Sequence, residues 1–503
     1  MSTGGMGRRP GQPLDDATLS ELTAGLERIV GVANVFRGDD ARRRFPGDMS
    51  WLTAIHAHHG DPLARQDVAV SPATTDEVSG ILRLASRLSV AVTPAGGLSG
   101  VQGAANATSG GILVDLRRMA RIRRIDRSSL TCEVECGAIV SEFEKRLNAE
   151  GLSFTHYPAS AEWASVGGSV AARGSGVLST RYGTIQDHVL SLEVVLPGGD
   201  VVRLPAVPRH GVGPELTQLF VGSEGTLGVV TAVTVRLRPV PAVRRFAACR
   251  FDGIGAGIAA GRQVMVTGLR PAVMRLYDRE AATHSLERAV EAGLDRETMV
   301  LMFEGEHHAV VEAEMAACRA ICAEHGGSEL SARIAETWWN KRYVFYHPPY
   351  APTLPQIWCT MDVVADFAHI EAVYRDVTRA MREAIDPAWA MTVRTHLSHW
   401  YDWGSMIYPR FIVPRGPEDL DQALELHDRV VAAATDAALR AGAVINDHHG
   451  VGMRLAPFLE RQFGPGGMEL LRRVKRGIDP DGVLCPGKLA LGQPGQAGAR
   501  RPG

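Results

Sequence analysis

The run RTHLSHWYDWGSMIYPRF, residues 394–411, gathers Arg394, His396, His399, Tyr401 and Tyr408 among aromatic side chains. Imidazoles and phenols grouped in this way are the side chains that move protons, so the run is a candidate acid/base site. A second candidate lies at 441–454, AGAVINDHHGVGMR, where Asp447, His448 and His449 stand at the mouth of a turn holding Gly450 and Gly452. His396 and His399 are an odd number of residues apart, so a straight strand turns them to opposite faces. His448 and His449 are adjacent, and neighbouring side chains diverge on regular backbone. Two ligands for one metal would need a special turn there. The histidines also lack the spacing of a structural zinc site, so no metal is expected.

Three glycine-rich stretches lie upstream: PAGGLSGVQG (94–103), PASAEWASVGGSVAARGSG (158–176) and VGSEGTLGVVTAVTVRLRPVP (221–241). Successive backbone N–H groups in a glycine turn can cradle phosphate, although a tight turn explains the first stretch equally well. Its spacing is neither GxGxxG nor GxxxxGK[ST], so a nucleotide here needs another kind of cradle. The small side chains of the second stretch let a flat ring lie against backbone. A turn entering a strand accounts for the third.

The elements that must position these groups follow from pattern. A helix is expected over 16–31, and strands and helices alternate from about residue 68. Thr75 is read as an N-cap, VAVT (90–93) as a strand, and LSLEVVLPGGDVVRL as a hairpin turning at Gly198-Gly199. IVSEFEKRLNAEG reads as an amphipathic helix ending at Gly151, Ala443–Ile445 as a short strand and 468–476 as a helix. Pro239 and Pro241 make a stiff connector. The fold class is α+β, with these units: 1–15 disordered, 16–63 helical, 64–241 ligand-binding, 242–430 a substrate-binding cap, 431–491 a returning C-terminal segment, and 492–503 a disordered tail.

Composition narrows the function. The chain has 503 residues, 45% of them hydrophobic, and a net charge of −2, so it supports more than one core and lacks the basic excess of a nucleic-acid partner. The seven cysteines show no CxxC pair and read as reduced core thiols. The N-terminus has no apolar signal segment and no stretch is long enough to span a membrane, which points to the cytoplasm.

The order of the three glycine stretches, with YGTIQDHVLSLEVVLPGGDVV between the last two, resembles the FAD-binding domain of the vanillyl-alcohol oxidase (PCMH) type over about 64–241. The resemblance implies non-covalent FAD, because the first loop carries no tethering histidine. It implies that Pro94, Ala95, Gly96, Gly97, Leu98, Ser99 and Gly100 hold the pyrophosphate. It further implies that Pro158, Ala159, Ser160, Glu162, Ser165, Gly168, Arg173, Gly174 and Ser175, with Glu224, Gly225, Thr226, Leu227, Gly228, Val229 and Val230, line the adenosine and isoalloxazine. Leu98 departs from the family, where a third glycine is common.

Over roughly 45–490 the chain resembles the alkylglycerone-phosphate synthases, through HLSHWYDWGSMIY, DHHGVG, AVMRLYDR and IDPDGVLCPGKLAL. By this resemblance Tyr408 is the proton donor/acceptor, and His448 and His449 match two of three synthase histidines, with Asp447 in place of the third. His396 and His399 join them as candidate catalytic groups. Arg342 matches the substrate-phosphate arginine, Arg275 another required arginine, and Arg394 is a further substrate-binding candidate. A lysine follows GVG in the synthases, where this chain has Met453. The implied chemistry is redox-neutral: the dihydroxyacetone unit is held by flavin N5, a fatty acid leaves, and a fatty alcohol enters to form an ether-lipid precursor. A homodimer and peripheral membrane contact come with the resemblance. The alternative is a FAD-linked D-2-hydroxy-acid (D-lactate or D-2-hydroxyglutarate type) dehydrogenase or oxidase, toward whose EHG turn Asp447 moves the sequence. A flavin-binding scaffold without catalysis is disfavoured by the density of ionisable groups.

Overall fold

The computed structural model describes residues 9–207, 210–286, 293–342 and 353–492. The architecture is α+β, built on three main sheets. The first sheet orders strands Val35–Arg37, Val68–Val70, Ile112–Asp115 and Val92–Ala95, the last three parallel. Their short apolar runs are buried throughout, as expected of parallel strands covered on both faces. Helices Asp16–Val30 and Thr75–Arg87 pack their apolar stripes on this sheet. The second sheet is antiparallel, in the order Ile122–Asp126, Thr131–Glu135, Val229–Arg236, Val189–Val195, Val201–Arg203. Its last two strands are the hairpin expected at Gly198-Gly199, with Gly199 at φ 86°.

The third sheet is antiparallel and has eight strands. Its first strand after the Pro239–Pro241 connector, Val243–Phe251, pairs with Glu297–Gly305. Farther along the same sheet lie Val273–Tyr277, Thr392–Trp400 and Gly404–Val413. Met274, Leu276, Val393, Leu397, Ile407, Phe411 and Val413 face a core shared with helices Ile254–Val266, His308–Glu324, Ile370–Glu383 and Leu420–Arg440. The alternate positions Arg275, Tyr277, Arg394, His396, Met406, Tyr408, Arg410 and Ile412 face a cavity. This period-two split dedicates one face of the sheet to packing and the other to chemistry.

Some local expectations change. Thr74, not Thr75, is the N-cap: its hydroxyl accepts from Glu77 N at 3.1 Å. Ala443–Ile445 is not a strand but a single bridge between Val444 and Val364. The helix expected at 468–476 belongs to a longer one, Leu459–Ile478, broken at Gly464 by φ 68° before Pro465. Of the two ends expected to be disordered, Asp15 is ordered as the N-cap of the first helix, while 1–8 and 493–503 lie outside the described residues. All seven cysteines are buried thiols. Among the described residues no helix is long and apolar enough to cross a membrane.

Candidate active site

The three glycine stretches converge. The first leaves the strand Val92–Ala95, the second becomes a helix, Val166–Ala171, capped by the Ser165 hydroxyl on Gly168 N, and the third enters Val229–Arg236. A Cβ at Gly97 would lie 1.5 Å from the Trp163 carbonyl oxygen, so the first two loops touch backbone to backbone. Leu98, which departs from the family, adopts φ 55°, in the left-handed region that favours glycine. The returning C-terminal segment joins them, with Cys485 N donating to Val92 O at 2.8 Å.

Together these loops and the polar face of the third sheet enclose one cavity of about 1560 Å³. That exceeds the ~300–1,000 Å³ of ordinary small-molecule pockets and leaves room for a cofactor and a substrate together. The residues fit FAD: the glycine cradle admits backbone close to a ligand, and Ser175 Oγ lines the cavity, buried and without a partner among the described residues. Of the expected cofactor residues, 94–100, 158–160, Ser165, Gly168, Gly174, Ser175, Glu224, Gly225, Gly228, Val229 and Val230 line it. Four do not. Glu162 and Arg173 are exposed. Thr226 is buried with its hydroxyl on Ser223 O, and Leu227 packs into the domain core. Glu224 has a different task as well: its carboxylate accepts from Val451 N and Gly452 N, tying the third loop to the histidine turn.

The catalytic candidates His396, His399, Tyr408, His448 and His449 all line the cavity. The odd spacing of His396 and His399 does not separate them, because the strand bulges. The register slips between Ser398 and Trp400, and His399 sits at φ 52°. The bulge turns His399 to the cavity and returns Trp400 to the core. Tyr408 is the cross-strand partner of His396, and their rings stack at 4.7 Å.

Two buried carboxylates organise the histidines. Asp362, which sequence reading missed, accepts the backbone N–H groups of Asp447, His448 and His449 at 3.2, 2.7 and 2.9 Å. It also lies 3.1 Å from His449 Nδ1, while His449 Nε2 lies 3.4 Å from the Tyr408 hydroxyl. Asp447 Oδ2 contacts His399 Nδ1 at 2.9 Å and His448 Nδ1 at 3.0 Å, and its Oδ1 accepts from Tyr401 at 2.6 Å. Ligand-capable atoms of Asp362, His448 and His449, and of His399, Asp447 and His448, lie within 4.8 Å of one another. The carboxylates already accept from backbone amides, ring nitrogens and Asn446, so the arrangement reads as a hydrogen-bonded proton network.

Burial governs the protonation of this network. It pushes His399 down to about 4, against the pull of Asp447. Burial and the Arg275 charge push His396 well below its ordinary value, and burial lowers His449 against Asp362. On His448 burial is outweighed by Asp362 and Asp447, which raise its pKa. Burial opposes charge on Asp447 and Asp362 too, yet the histidines hold both carboxyls below the usual range. The network thus keeps two carboxylates and favours its positive charge on His448.

The cationic residues divide. Arg275 and Arg394 line the cavity, with Arg275 Nη2 2.7 Å from His396 Nε2. Arg342 does not: its guanidinium lies 3.6 Å over the Trp339 ring and donates to Trp339 O, which holds it at the end of the helix Ala332–Lys341. Lys341 and Arg410, which sequence reading missed, line the cavity in its stead. Arg410 was legible as the next even position after Tyr408 on the same strand.

The chain matches a profile described as an FAD binding domain over residues 66–205 and one for the C-terminal domain of FAD linked oxidases over 240–489. It is 28% identical over 462 residues to an alkyldihydroxyacetonephosphate synthase of Trypanosoma brucei brucei, covering 86% of this chain and 74% of that protein. It is 30% identical over 429 residues to a mitochondrial D-lactate dehydrogenase [cytochrome] of Arabidopsis thaliana, covering 84% and 73%. A solved alkyldihydroxyacetonephosphate synthase shares the fold with TM-score 0.77 at 22% identity, covering 97% of this chain and 87% of that one.

Proposed function

We propose, for a chain that belongs to the FAD-linked oxidase family and binds FAD, a redox-neutral transfer: the acyl group of an acyl-dihydroxyacetone phosphate is exchanged for a fatty alcohol, giving an ether-lipid precursor. The observation that carries this reading is the line Asp362–His449–Tyr408, set in the same cavity as Arg275, Lys341, Arg394 and Arg410. Bound FAD supplies a ring that takes and returns electron density at the exchanging carbon, so no external electron acceptor is consumed. Asp362 Oδ1, 3.1 Å from His449 Nδ1, favours the tautomer with its hydrogen on Nδ1, which leaves Nε2 as the acceptor that faces Tyr408. With its pKa lowered by burial, His449 is neutral near pH 7 and able to receive a proton. Tyr408 relays the proton between the substrate carbon next to the ester and His449. The guanidinium groups of Arg275, Arg394 and Arg410 suit the phosphate, and Trp358, Met406 and Ile412 offer an apolar wall to the chain.

A D-2-hydroxy-acid dehydrogenase or oxidase is the second reading. Asp447, between His399 and His448, favours it, as does the likeness to the Arabidopsis protein. Anaerobic mixing of the purified flavoprotein with D-lactate or D-2-hydroxyglutarate separates the two. An oxidised flavin spectrum that persists supports the transferase, and rapid bleaching would establish the dehydrogenase and overturn it. A homodimer, a lipid substrate drawn from a membrane surface and residence in the cytoplasm belong to the first reading, and vesicle flotation and light scattering test the first two.

A further inference from the structure

Gln102 lies just past the first glycine loop. It is 1% exposed, lines the cavity, and has no partner for either Oε1 or Nε2 among the described residues. A buried carboxamide left unmatched at both ends is costly, so one that borders a cavity marks a ligand contact.

Its backbone is held from several directions. Gly100 O accepts from Met49 N at 2.8 Å, and Gly103 N donates to Asp48 Oδ2 at 2.7 Å. The buried Lys488 donates to Gly103 O at 2.7 Å, and Gln102 O itself accepts from Met453 N at 2.8 Å. At Gly452 a Cβ would lie 2.1 Å from Gln102 O, so the loop and the histidine turn are in backbone contact. The backbone that carries the side chain is therefore fixed before any ligand arrives. It stands between the cradle and the turn that carries His448 and His449.

A carboxamide offers a donor beside an acceptor, and its complement is an edge with an acceptor beside a donor. The pyrimidine part of the flavin ring has such an edge, a carbonyl next to an N–H. We propose that Gln102 binds this edge, with Nε2 donating to a ring carbonyl and Oε1 accepting the hydrogen on ring N3, and so sets the flavin against Tyr408 and His449. The proposal rests on FAD as cofactor and not on the transferase reading, so the two fail independently.

The test is equilibrium titration of the full-length protein, stripped of flavin, with FAD and with FAD methylated at N3, followed by flavin fluorescence. The wild type should prefer FAD by about tenfold, the worth of one well-placed hydrogen bond. Gln102→Met, close in size, should bind FAD about tenfold more weakly and bind both flavins alike to within about twofold. Undiminished FAD affinity in the variant, or an undiminished preference for FAD over the methylated form, overturns the proposal. So does a variant whose lost discrimination concerns FAD altered at the adenine amino group, because that places Gln102 at the other end of the cofactor. Should Gln102→Met not fold by circular dichroism, Gln102→Asn, whose amide is one carbon short of reach, is read by the same criteria.

Discussion

The Tyr408 hydroxyl lies 3.4 Å from Nε2 of His449. The distance is long for a hydrogen bond and of the kind that shortens when substrate fills the site. Behind it, Asp362 accepts the backbone N–H of His449 and lies 3.1 Å from its Nδ1. Tyr408→Phe should lower kcat by about 10²–10⁴-fold, the usual worth of a positioned acid/base group, with flavin content and KM little changed. Steady-state rates together with visible absorbance check this, and full activity in the variant would remove Tyr408 from its role.

Asp447 is shared by His399, His448 and Tyr401. Asp447→Asn removes a buried charge that raises the pKa of His448, so the His448 pKa should fall. Stability should drop by as much as roughly 3–5 kcal/mol, the usual cost of breaking a buried charge pair. Denaturant unfolding measures the loss, and nuclear magnetic resonance of the imidazole reads the pKa.

Gly97→Ala pushes a methyl group to within 1.5 Å of the Trp163 carbonyl oxygen, against backbone that cannot turn aside. The loops must part, so stability should fall by about 1–3 kcal/mol and the protein should purify with less FAD. Absorbance ratio and melting temperature report the two effects.

Glu224 has its pKa raised by burial from 4.5 to about 7 in the folded state. An acid raised in this way contributes stability that is full below the unfolded value and lost as pH rises through the folded one. Glu224→Gln keeps an acceptor for Val451 and Gly452 and removes the titration. The stability of the variant relative to wild type should therefore climb by roughly 3 kcal/mol between pH 4.5 and 7 and then level off. A flat difference across that window would mean that Glu224 is ionised throughout.

Much of this site was legible because its signals are local. Glycine spacing marks the three loops, and His396, Tyr408 and Arg410 follow strand alternation once that strand is recognised. What was not legible depends on departures from regular backbone or on distant partners. His399 faces the cavity only through a bulge, which no period-two pattern announces. Asp362 meets the histidine turn from more than eighty residues upstream, at the break between the strands Ile357–Thr360 and Val363–Asp366. Arg342 matched a motif, yet stacking on Trp339 drew it aside and left Lys341 at the cavity. Leu98 shows the reverse case: the residue departs from the glycine pattern, yet its backbone stands at φ 55°, in the region that glycine favours.

The central claim is that this flavoprotein exchanges an acyl group for an alkoxy group without net oxidation. The most direct measurement is anaerobic incubation of the purified protein with an acyl-dihydroxyacetone phosphate and deuterated hexadecanol, followed by mass spectrometry. The account predicts a deuterated ether phosphate and free fatty acid in equal amounts over many turnovers, with the flavin oxidised at the end. Release of fatty acid without ether, or no reaction together with flavin bleaching by a D-2-hydroxy acid, would contradict it.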